Sequence, residues 1–152
     1  MVVQFVMFAM AAVLIAAMVL EARTGRIPNW LTLLPVGLFV VLMAVSQDRV
    51  AMLWQLGLGA AAFAIGLALY AFAGFGAGAV KLLGGAALFV PVSKALPTLG
   101  VFVAALIGSV FLIRILRKFF ASEDSAWTIF ANPVLPMSLS IGTAGLAAMF
   151  IL

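Results

Sequence analysis

Residues 2–20, VVQFVMFAMAAVLIAAMVL, carry one amide and no charge. A helix needs roughly 20 apolar residues to cross about 30 Å of hydrocarbon, and this stretch has that length. No basic segment precedes it, so it reads as a first membrane span rather than a cleavable leader. The same pattern repeats to the end of the chain. Trp30 to Val45, Ala51 to Ala73, a short run from Leu82 to Val92, Leu99 to Leu116, and Pro136 to Leu152 follow as further apolar stretches. Proline, glycine or charge breaks the chain between them. The expected fold is all-α, a polytopic transmembrane helical bundle of about six spans in a single domain, 1–152. The short fourth segment is the one that could be re-entrant.

Composition points the same way. Of 152 residues, 68% are hydrophobic and 8% charged, with mean hydropathy +1.39. A soluble domain carries about 25% charged residues, so this chain cannot cover a water-facing surface. There is no cysteine and no histidine. That excludes disulfides, thiolate or imidazole metal sites and every nucleophile–histidine pair. No metal and no cofactor are expected. Chemistry must come from four acids, eight bases, amides, hydroxyls and the backbone.

The net charge of +4 reads as membrane anchoring rather than nucleic-acid binding. Arg23, Arg26, Lys81, Arg114, Arg117 and Lys118 belong to the first, third and fifth connections. Only Arg49 and Lys94 belong to the second and fourth. Basic residues mark the cytoplasmic side, so both termini are expected outside. The stretch from Phe119 to Asn132, with Glu123, Asp124, Trp127 and Phe130, is expected to lie along the interface.

Two polar features share the basic side. One is Glu21-Ala-Arg-Thr-Gly-Arg-Ile-Pro-Asn29; the other is the glycine-rich Gly74-Phe-Gly-Ala-Gly-Ala-Val-Lys81. An acid at a helix end commonly caps it or pairs with nearby arginines. A glycine-rich stretch commonly marks a packing break, and this one lacks the Gly-Lys-Ser/Thr end of a phosphate-binding loop.

Taken together, the segments carry more. Residues 21–33, Glu-x-Arg-x-x-Arg-Ile-Pro-Asn-Trp-Leu-Thr-Leu, resemble the first signature of the prepilin peptidases, intramembrane aspartic proteases that remove pilin leader peptides. Gly76-Ala-Gly-Ala-Val-Lys81 resembles the second, Gly-x-Gly-Asp-x-Lys. Leu135-Pro-Met-Ser-Leu-Ser-Ile-Gly142 is similar to that family's last helix. The resemblance covers the whole chain, with the length of the short members that lack a methyltransferase domain and serve tight-adherence pili. It implies a pilin precursor as partner, cut at the cytoplasmic face of the bacterial inner membrane. It also implies catalytic positions at Glu21 and Ala79, with Arg23, Arg26, Pro28, Asn29, Gly76, Gly78 and Lys81 shaping the site.

The departures bear directly on activity. The family has aspartate at both catalytic positions, and this chain has Glu21 and Ala79. Aspartic proteolysis needs two carboxylates sharing a proton. Glutamate displaces its carboxylate by one bond length, and a misplacement of about 1 Å is already costly. Alanine supplies none. An inactivating substitution, a natural pseudo-peptidase and a rescue from elsewhere in the chain all remain open at the level of sequence. So does a non-cleaving binding or assembly module on the same fold. A transporter is disfavoured, because no predicted span carries an ionisable residue at its middle.

Overall fold

The computed structural model describes residues 1–73, 75–120, 127–128 and 136–152. Among the described residues six α-helices follow one another: α1 (Val2–Thr24), α2 (Asn29–Val45), α3 (Arg49–Ala73), α4 (Ala77–Ala87), α5 (Ala95–Phe120) and α6 (Met137–Phe150). A 3-10 turn, Val92–Lys94, leads into α5. No strand occurs among the described residues, so the all-α bundle stands. Its helices are unequal. Three are long and apolar enough to cross a membrane, namely α1, α3 and α5. The others have 17 (α2), 11 (α4) and 14 (α6) residues. At 1.5 Å per residue α4 rises only about 16 Å, half the hydrocarbon thickness.

Boundaries differ from the sequence expectation in instructive places. Helix α1 continues over Glu21 to Thr24, because nothing disfavours helix before Gly25. That glycine ends it in the left-handed region (φ 69°), its N–H donating to the Glu21 carbonyl at 2.8 Å. The glycine-rich stretch expected as a break in the third connection is helical from Ala77 onward. Gly78, Ala79, Val80 and Lys81 are thus early residues of α4. Helix α5 takes in Pro97, which near a helix start forgoes no intrahelical hydrogen bond.

Two short helices hold the centre. Helix α4 packs on α2, α3 and α6, and α6 packs on α1, α4 and α5. Met10, Leu14, Leu31, Phe39, Leu82, Phe89 and Ile141 fill the core. Phe39 and Phe89 meet edge-on, centroids 5.9 Å apart. Backbones approach closely through glycine: a Cβ at Gly84 would lie 2.8 Å from Phe63 Cβ, and one at Gly85 would lie 2.8 Å from Pro35 Cβ. Close approach through small residues is how helices associate in lipid.

The outer surface is apolar. Phe5, Phe8, Leu33, Val40, Leu53, Trp54, Ile65, Phe72, Leu96, Phe111 and Ile115 all point outward. A contiguous exposed surface of this kind belongs in hydrocarbon rather than water.

Candidate functional site

Both motif segments lie at one end of the bundle and touch. The α1–α2 connection places Ile27 against α4 so tightly that a Cβ at Gly78 would lie 3.0 Å from both Ile27 Cβ and its carbonyl oxygen. Glycine at 78 is therefore a contact requirement. Close by, Lys81 Nζ donates to Asn29 Oδ1 at 2.8 Å. Pro28 caps the start of α2, its carbonyl accepting from the Leu31 N–H at 3.1 Å. Thr32 Oγ1 donates to the Asn29 carbonyl at 2.9 Å, which fixes the turn that presents the Asn29 side chain.

Glu21 occupies the last turn of α1 with only 9% of its surface exposed. Its Oε2 accepts the Ser138 backbone N–H at 2.7 Å. The neighbouring Ser138 hydroxyl donates to the Ala17 carbonyl at 3.3 Å. Helix α6 begins after Pro136, and no side chain of its own caps it. The first amides of a helix have no intrahelical acceptor, and the helix dipole makes that end positive. Glu21 supplies both the acceptor and the negative charge from another helix. Arg23 does not pair with it; the guanidinium lies 4.9 Å over the Trp127 ring.

Ala79 is 2% exposed and shares the buried cluster of Ala17, Ile27 and Leu82. Gly76 caps α4 with an ordinary extended backbone (φ −69°, ψ 137°), and a Cβ there would meet nothing within 4 Å. Nothing in the structure explains glycine at 76. Arg23 and Arg26 are exposed. Thr128 Oγ1 donates to the Arg23 carbonyl at 2.7 Å and its methyl covers Gly25. The expected interfacial stretch, with Glu123 and Asp124, lies outside the described residues apart from Phe119, Phe120, Trp127 and Thr128.

Sequence reasoning missed Ser138. A signal was available, because a helix entered from Pro136 with no Ser, Thr, Asp or Asn at its cap must find an acceptor elsewhere. It also treated Asn29 and Lys81 as separate motif members, although a cation and an amide oxygen at one membrane face make natural partners.

The arrangement defines a class: a helical membrane protein in which the α1–α2 connection meets the start of α4 and a buried acid at the end of α1 caps α6. A sequence model of the type IV leader peptidase family matches residues 8–113. The chain belongs to that family. No curated protein and no solved structure matches it.

Proposed function

We propose that this chain receives pilin-type precursors at the cytoplasmic face of the bacterial inner membrane and, as it stands, holds them with little or no hydrolysis. The leader-peptidase family supports the substrate class. The engagement of Glu21 carries the rest. Its carboxylate is buried and bonded to the Ser138 amide, so it serves α6 rather than a catalytic water. A second carboxylate is absent from position 79. Cleavage by this family's chemistry needs one acid to activate water and a second to protonate the amide. On this reading the early turns of α4 and the α1–α2 connection form the receiving surface. Lys81, Arg23 and Arg26 stand there to meet anionic groups.

The test is a gel shift of precursor to mature pilin in liposomes, with co-purification as the measure of binding. The unaltered chain should bind precursor and leave it uncut. Ala79→Asp should restore some cleavage. Adding Glu21→Asp should restore more, since the shorter acid withdraws from Ser138 toward the position the family's aspartate takes. Glu21→Gln with Ala79→Asp, leaving one carboxylate, should cut nothing. Robust cutting by the unaltered chain refutes the proposal. Binding without cutting by the double aspartate form would assign the fold to assembly alone.

A further inference from the structure

We propose that the groove between α3 and α5 binds one anionic glycerophospholipid, an acyl chain along Leu58, Ile65, Ala87 and Phe102 and the phosphate at Lys94. The groove encloses about 530 Å³, floored by α4 and α6 and walled by α3 and α5. Its lining is hydrocarbon except for Thr98, whose hydroxyl already donates to the Lys94 carbonyl at 2.6 Å. Side chains there offer nothing to a polar ligand, which selects a hydrocarbon tail.

Charge fixes the headgroup. Lys94 immediately precedes Ala95, and Ala95, Leu96 and Thr98 line the groove from the start of α5. Its ammonium has no acceptor among the described residues. The other base at that end, Arg49, is engaged, its Nη1 donating to the Met43 carbonyl at 2.6 Å. Lys94 also stands at the start of a 26-residue helix, where the dipole adds to its positive potential. An ammonium beside a hydrocarbon groove matches a phosphate joined to acyl chains.

The experiment uses full-length protein stripped of lipid in detergent, read by native mass spectrometry and by thermal midpoint. Phosphatidylglycerol should bind one per chain and raise the midpoint by roughly 5 °C, with phosphatidylcholine of the same chains raising it less. Lys94→Gln should cut the preference for phosphatidylglycerol at least threefold, and Lys94→Arg should keep it. Ala62→Phe, which fills the groove from α3, should weaken both lipids. A preference that survives Lys94→Gln but disappears in Lys118→Gln would move the site to the other end and overturn the proposal. Lipid binding unchanged by Ala62→Phe overturns it too. So would crosslinking of an apolar precursor helix from position 62 in lipid-saturated protein.

Discussion

At the scale of single residues, Glu21 is constrained from two directions. A carboxylate out of water is costly unless hydrogen bonds replace its hydration, and the Ser138 amide at 2.7 Å supplies one. The amide in turn depends on the carboxylate, because Pro136 leaves α6 without a cap of its own. Glu21→Ala should therefore strand a buried N–H and cost about 1–3 kcal/mol. Glu21→Gln keeps an acceptor oxygen and should cost less. Thermal unfolding in one detergent checks the order, and equal losses from both substitutions would show that the cap contributes nothing. The Lys81–Asn29 bond is exposed, so Asn29→Ala should cost well under 1 kcal/mol by the same assay. A larger loss would mean that Asn29 has a second role in the turn.

Among the helices, α4 depends most on small residues. Gly84 faces α3 through Phe63, and Gly85 faces α2 through Pro35. A leucine at 84 cannot be accommodated by rotating one flexible side chain, since the opposing atom is a Cβ close to backbone. Gly84→Leu should destabilise by roughly 1–3 kcal/mol through overpacking. Gly57→Ala, with nothing within 4 Å, should be neutral or slightly stabilising. Matching unfolding midpoints for the two variants would contradict the packing described. The apolar runs made the helices legible, since lipid demands them and little else satisfies backbone groups there. Which glycines are contacts was not legible: Gly57 and Gly59 lie two residues apart on one helix, yet of the two only Gly59 packs closely, against the Gly84 carbonyl of α4 and the Leu88 side chain just beyond it. The helical start at Ala77 was hidden for a related reason. Glycines at 76 and 78 look like a loop in isolation, whereas tertiary contact with Ile27 favours helix over intrinsic propensity. The two signature segments were legible as motifs. Their contact, and the link from Glu21 to α6, depend on partners as many as 117 positions away.

Over the whole molecule, the bases separate by end. Arg23, Arg26 and Lys81 lie with the Glu21 cap, where α1 ends and α4 and α6 begin. Helix α5 runs antiparallel to α6: Ser109 faces Ser140 at 3.4 Å, while the earlier Leu99 and Phe102 line one groove with the later Ala144 and Gly145, so α5 carries Arg114, Arg117 and Lys118 toward the same end. Arg49 and Lys94 open helices at the opposite end. By the positive-inside rule the Glu21 end is expected in the cytoplasm and both termini outside. The chain has no cysteine, so single introduced thiols report sidedness without background. Arg26→Cys and Lys118→Cys should react with an impermeant maleimide only after cells are opened. Gln47→Cys and Ser93→Cys, both at exposed positions, should react in intact cells. Because α4 is too short to cross alone, the pair at 26 and 93 is the decisive one. It asks whether α4 and the Val92–Lys94 turn together carry the chain from one face to the other. Protection of position 93 in intact cells, with labelling of 47 retained, would leave α4 re-entrant and put the start of α5 on the cytoplasmic side.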